Sequence, residues 1–319
     1  MSLLTRSVCS DTGGSVRLPA AYCGVLGLKP SYGLISRWGL VSYADSLDTI
    51  GLIGRSVADI EAALDVVARP DPRDATCAGD KKRSVAISRA QSISSRCEQD
   101  LRGLRVGVPA EFFPAELDGA AADAVDDMIG ELHAQGAAIV PVSLPSVRQT
   151  LGTYYVLALA EASSNLARYD GLQFGHFEAR ESYAASAAAS RSAALGLEVQ
   201  IRILLGTHVL SAAAWDNYFL KAQGIRARIA AEIDDAWQYV DVLVHPTALG
   251  GAPRLDDAAS EYAQDVLTAP ANLAGIPALS IPARRQTAEA LPLGVSLAAP
   301  WGHESLLFSV ASRIAPRTY

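Results

Sequence analysis

Lysine is scarce in this chain of 319 residues: Lys29, Lys81, Lys82 and Lys221 are its only copies. Basic residues number 27 against 34 acidic, a net charge of −7. A broadly basic surface for nucleic acid is therefore not expected. Cysteine is also sparse. Cys9, Cys23, Cys77 and Cys97 form no CxxC pair, and the five histidines are scattered, so neither a disulfide scaffold nor a metal-ligand pattern is legible. Reduced thiols in an intracellular compartment are the plain reading. No apolar run approaches the ~18 residues of a membrane span, and the opening Met1–Ser10 is too short and polar for a signal peptide. It is no convincing transit peptide either, so an organelle address is missing or lies upstream. With 50% apolar residues, collagen-like and fully disordered classes are out, and the length suits one large α/β domain or two smaller ones.

Residues 11–55 are rich in glycine and serine and read as loops joining short strands and a short helix. Ser56 and Asp59 form a capping-box pair, and Val57, Ile60, Leu64 and Val67 share one helical face that ends before Pro70. Residues 70–103, with the run Asp80-Lys81-Lys82-Arg83, read as a long surface loop or insertion. A βαβ pattern follows. Leu104–Val108 is a strand, and Val125, Met128, Ile129 and Leu132 lie at helical spacing. Gly136 stands where a cap belongs, and Ala138–Val142 is the next strand. So short a succession implies a parallel pair with a right-handed crossover. Helical stretches are expected over 147–168 and 197–237, and the alanine clusters at 184–194 are a helix or a loop. Asp241–His245, Ala278–Pro282 and Leu293–Leu297 are further strands, and Glu304–Ile314 is a closing helix. The fold class is α/β, a mixed central sheet flanked by helices on both faces.

The most informative segment is Ser10-Asp11-Thr12-Gly13-Gly14-Ser15-Val16-Arg17. Two glycines before a serine permit a tight turn with consecutive exposed N–H groups. That turn can hold an anion, or the oxyanion formed when the serine attacks a carbonyl; a plain Gly-Gly-Ser turn is the bland alternative. Arg17 stands where a GxSxG elbow needs glycine, and no GxxxxGK[ST] loop occurs.

The continuation Leu18-Pro19-Ala20-Ala21-Tyr22-Cys23-Gly24, then Gly27-Leu28-Lys29-Pro30-Ser31-Tyr32-Gly33 and Ser46-Leu47-Asp48-Thr49-Ile50-Gly51, resembles the amidase signature family. Within that family the chain looks most like the A subunits of glutamyl-tRNA(Gln) amidotransferases. Tyr154-Tyr155, Glu161–Gly171 and Pro270-Ala271-Asn272-Leu273-Ala274-Gly275 carry that likeness, so 1–319 reads as the C-terminal portion of an amidase domain. The resemblance implies a Ser-Ser-Lys triad with Ser15 as the acyl-ester nucleophile. It implies an oxyanion hole from the N–H groups of Thr12, Gly13, Gly14 and Ser15, each donor typically contributing about 3–4 kcal/mol. For a glutamine substrate it implies Arg202 at the carboxylate, Asp265 at the ammonium and Tyr154 lining the pocket. Taken singly, these three are an ordinary surface arginine, a helix aspartate and a core tyrosine; a guanidinium and a carboxylate together fit a free amino acid. Lys29, in Gly-Leu-Lys-Pro, reads as structural.

The family's bridging serine and its lysine lie upstream of the nucleophile, and Met1–Ser10 contains neither a lysine nor a Gly-Ser-Ser-Gly-Gly stretch. A fragment of a longer protein is the expectation, with a degenerate paralogue as the alternative. The chain as written is then expected to lack amidase activity and to fold poorly alone. The resemblance further implies B-type and small C/F-type partner subunits, with ATP, Mg and most tRNA contacts on the partner, and no cofactor, metal or membrane contact in this chain. A stand-alone amidase on another small amide and a non-catalytic assembly protein are the competing readings. The wording of Ser36–Leu40 and Tyr43–Leu47 resembles organellar members, which points to mitochondria, with the cytoplasm as the alternative.

Overall fold

The apolar runs near the end of the chain form its centre. In the computed structural model, which describes residues 6–97, 100–256, 263–284 and 290–315, Val242–Pro246, Ala278–Pro282 and Gly294–Ala298 are strands buried at every position. Strands covered on both faces need apolar or small residues throughout, so such segments read as unbroken runs.

In chain order the strands are β1 (Arg6–Asp11), β2 (Leu26–Lys29), β3 (Thr49–Gly54), β4 (Arg105–Pro109), β5 (Ala138–Val142), β6 (Val242–Pro246), β7 (Ala278–Pro282) and β8 (Gly294–Ala298). They form one sheet in the order β1-β3-β2-β7-β8-β6-β4-β5. β4 runs parallel to β5 and β6, and the other pairs are antiparallel, so the sheet is mixed. The helices are α1 (Arg17–Cys23), α2 (Val57–Val67), α3 (Asp80–Cys97), α4 (Gly119–Ala134), α5 (Thr150–Asn165), α6 (Tyr183–Ala194), α7 (Leu197–Val209), α8 (Lys221–Ala236), α9 (Ala269–Leu273) and α10 (Glu304–Ile314).

The two faces of the sheet differ. Val244, Leu279, Ile281, Val295 and Leu297 point into an apolar cluster closed by α2, α4 and α10. Leu243, Ala278 and Ala298 point the other way, towards α5, α8 and α9. The same second face carries His245, Ser280 and Ser296, all buried, and α1 packs against it across β2, β7 and β8.

Several expectations are met residue for residue. Ser56 caps α2, its Oγ accepting from Asp59 N at 3.1 Å. β4 and β5 pair in parallel around α4, and Gly136 sits just past that helix at φ 98°. The alanine-rich segment at 184–194 is helical. Two expectations are corrected. The stretch 197–237 is two helices separated by a π-helical turn at Asp216–Leu220. The segment 70–103 is no long loop, because it contains α3, an 18-residue helix packed on α10. Among its described side chains Arg83, Ala90, Ser94 and Cys97 are buried, and Ile93 packs against the core. A charged and a hydroxyl side chain on the buried side weaken the apolar pattern that would announce the helix. Arg83 anchors it by donating to the backbone oxygens of Ala78 (2.6 Å) and Ala68 (2.9 Å), and to that of Leu34.

Candidate active site

β1 ends at Asp11 and α1 begins at Arg17, so the glycine-serine turn is strung between two residues that bind each other. Asp11 Oδ2 accepts from Arg17 Nε (3.0 Å) and Val16 N (3.1 Å), and Oδ1 from Arg17 Nη2 (2.9 Å) and Asn272 Nδ2 (3.0 Å). Arg17 also donates to Asn272 Oδ1 (2.6 Å) and to the Thr268 carbonyl (2.7 Å). Both charges are 0% exposed. A buried pair survives desolvation only when its remaining lone pairs and protons are satisfied, and Asn272 and Thr268 do that here. Burial works to raise the Asp11 pKa, but the Arg17 charge and its hydrogen bonds outweigh it and hold the carboxyl below its ordinary value.

The glycines are set by close approach. A Cβ on Gly13 would lie 2.6 Å from the Tyr154 ring, and one on Gly14 would overlap Thr268 Oγ1. Thr268 Oγ1 donates to the Gly13 carbonyl at 2.6 Å. Among the described residues, none accepts from the N–H groups of Gly13, Gly14 or Ser15. Ser15 is exposed at the mouth of the turn. This is a serine beside unused backbone donors, the arrangement an oxyanion requires.

A second strut leaves the turn at Thr12, whose Oγ1 donates to Asp48 Oδ1 at 2.6 Å. Asp48 Oδ2 accepts from the backbone N–H groups of Tyr43 (2.8 Å) and Ala44 (3.0 Å). Burial raises the Asp48 pKa, and these hydrogen bonds oppose the rise. Tyr43 meets Arg202 of α7: Arg202 Nη1 donates to the Tyr43 phenol at 3.0 Å, while Nε donates to Glu198 Oε1 at 2.9 Å. Asp265 lies one turn before Thr268, which donates from N to its carbonyl at 3.2 Å. Burial, with the Asp11 charge behind it, pushes the Asp265 carboxyl up to about 6, against the pull of Arg17 and Arg202. Burial and the neighbouring Asp265 charge raise the Tyr154 phenol, which stays protonated.

The residues singled out from the sequence are thus linked by contacts that run out from the serine turn. Ser15, Thr12, Gly13 and Gly14 form the turn, Tyr154 lies against Gly13, and Asp265 and Arg202 bring opposite charges within each other's electrostatic reach. Sequence reasoning passed over the residues that hold them. Asp11, Arg17, Asp48 and Asn272 stand inside the family motifs, and charged or amide side chains within such motifs are the available signal; Tyr43 and Thr268 carry no local signal at all. Lys29 is fully buried under the turn and donates to the Pro30 carbonyl at 3.0 Å. Burial, reinforced by Arg17, lowers its pKa to about 7 against the pull of Asp11 and Glu304. Among the described residues no three His, Cys, Asp or Glu side chains gather into a metal site, and no helix is long and apolar enough to cross a membrane.

Residues 1–308 match the Amidase family. The A subunit of the mitochondrial glutamyl-tRNA(Gln) amidotransferase of Mycosarcoma maydis is 44% identical over 334 residues, covering 96% of this chain and 62% of that protein. Its counterpart in Synechococcus sp. (strain CC9605) is 46% identical over 311 residues, with the same coverages. Among solved structures, the A subunit from Thermotoga maritima superposes with a TM-score of 0.76 at 32% identity, over 98% of this chain and 63% of that one. The chain spans 62% of the length of these curated relatives.

Proposed function

This chain belongs to the amidase family, and on that premise we propose that it is the nucleophile-bearing and substrate-binding part of a glutamine-hydrolysing A subunit of a glutamyl-tRNA(Gln) amidotransferase. What supports the reading is that two opposite charges are tied by contacts to the serine turn: Asp265 leads into Thr268, which bonds the Gly13 carbonyl, and Arg202 bonds Tyr43, which shares Asp48 with Thr12. An uncharged amide needs neither. The α-ammonium of glutamine suits the first and its α-carboxylate the second.

Ser15 Oγ attacks the side-chain amide carbon, its proton passing to the family's Ser-Lys relay and on to the leaving nitrogen, while the N–H groups of Thr12, Gly13, Gly14 and Ser15 receive the negative oxygen. Ammonia departs, and water releases glutamate from the acyl-enzyme. The lysine and bridging serine of the family's proton relay have no counterpart before Ser15 in these 319 residues. The ammonia is destined for a B-type subunit that uses ATP and Mg to activate Glu-tRNA(Gln), with a small C/F-type subunit completing the assembly. The tRNA contacts belong mainly to those partners, in keeping with the acidic balance here, and the mitochondrion is the proposed compartment. The wording of the organellar-type segments and the fungal relative support that address.

Titration calorimetry with L-glutamine and with propionamide tests the pocket. Glutamine is expected to bind at least about tenfold more tightly, and Arg202→Ala or Asp265→Asn to remove most of that preference, because an unpaired charge is left on one side. Equal affinity for the two amides sinks the reading.

A further inference from the structure

Arg202 is held on two sides. Glu198 Oε1, one turn earlier on α7, takes its Nε, and the Tyr43 phenol oxygen takes its Nη1. The guanidinium carbon stands 5.9 Å from the centre of the Tyr43 ring. Among the described residues Nη2 has no acceptor, and neither does the phenol proton of Tyr43. Two donors therefore sit side by side, one charged and one neutral, with nothing yet to bind.

Tyr43 is also fixed from behind. Its N–H is bound by Asp48, the carboxylate that holds Thr12 of the nucleophile turn, and its carbonyl accepts from Asn165 Nδ2 at 3.2 Å. A rigid chain of contacts thus runs from the serine turn through Asp48 and Tyr43 to Arg202. It sets the distance between the reacting amide and the far end of the substrate, and preorganised donors recognise a ligand without first losing side-chain freedom.

Building on the glutamine reading above, we propose that Tyr43 is the second half of a carboxylate clamp, its phenol oxygen orienting Arg202 while its proton is donated to the same substrate α-carboxylate. A carboxylate offers two oxygens with about four lone-pair sites, so one guanidinium edge and one phenol can engage it together. The clamp makes the cleft selective for amides that carry a free carboxylate at the distance of an α-amino acid. Burial keeps the phenol protonated at neutral pH, which preserves the donor.

The test is titration of L-glutamine and of L-glutaminol, which lacks the carboxylate, into the 319-residue chain and its Tyr43→Phe and Glu198→Gln variants. Phenylalanine keeps the ring and the backbone bond to Asp48, and an unchanged melting temperature checks the fold. Tyr43→Phe is expected to weaken glutamine about tenfold and to leave glutaminol unchanged, as loss of a hydrogen bond to a charged group demands. Glu198→Gln, which retains an acceptor for Nε, is expected to weaken glutamine by less. A Tyr43→Phe variant that keeps the wild-type preference for glutamine, or that weakens both ligands equally, overturns the clamp alone. A wild-type chain that binds the two alike, or binds neither, overturns the glutamine reading and the clamp with it.

Discussion

On the proposed glutamine reading, Asp265 would link ligand binding to pH at the level of one carboxyl group. Burial lifts its pKa to about 6, so the group ionises only above that value and loses its attraction for an ammonium below it. Glutamine affinity is therefore expected to be flat above about pH 7 and about tenfold weaker at about pH 5, while Asp265→Asn binds weakly with no such dependence. Calorimetry at the two pH values reads the difference. Lys29 gives the opposite case. Its pKa in the fold is about 7 against 10.5 when free, so the unfolded chain binds the proton more tightly and the native state gains stability as pH rises from about 7 towards 10. Replacing the amine with a methyl thioether of similar length removes that burden. Lys29→Met is expected to be more stable than wild type by a few kcal/mol below about pH 7, the gap closing as pH approaches 10. Parallel denaturant titrations check it, and a gap independent of pH counts against a buried, titrating amine.

Elements are legible in the sequence to the extent that their buried stripe is apolar. α2, α4 and α10 carry Val, Ile, Leu or Met at helical spacing, and the structure places them where the periodicity does. α3 escapes such a reading because the buried residues among its described side chains include an arginine and a serine. What holds Arg83 is a set of carbonyls from 34, 68 and 78, brought together only by the fold. The turn between β1 and α1 depends on the same kind of contact. Arg17→Ala leaves Asp11 buried and unpaired, which is expected to cost about 3–5 kcal/mol, a large drop in melting temperature. The double variant Asp11→Leu, Arg17→Met carries no stranded charge and is expected to recover part of that loss. Equal stability of Arg17→Ala and wild type would show that the pair does not hold the turn.

Across the whole molecule, both sheet faces pack on apolar clusters, and one of them also carries the candidate site. The apolar packing is the ordinary hydrophobic contribution to stability. The second face buries Lys29, His245, Ser280 and Ser296 beside a second apolar cluster. Such a surface is stable only when its groups find partners, as Asp11, Arg17 and Asn272 do across more than 250 positions of sequence. The family resemblance proposed the serine turn as the site, and by itself the sequence determined the α/β class and the strand and helix segments with apolar periodicity. These follow from local spacing, which acts over a few residues. The tertiary structure alone decided that Thr268 closes on Gly13, that Asp48 ties Thr12 to Tyr43, and that Tyr43 meets Arg202. Most of those contacts join residues far apart in the chain, and no local pattern encodes which buried polar group will satisfy another.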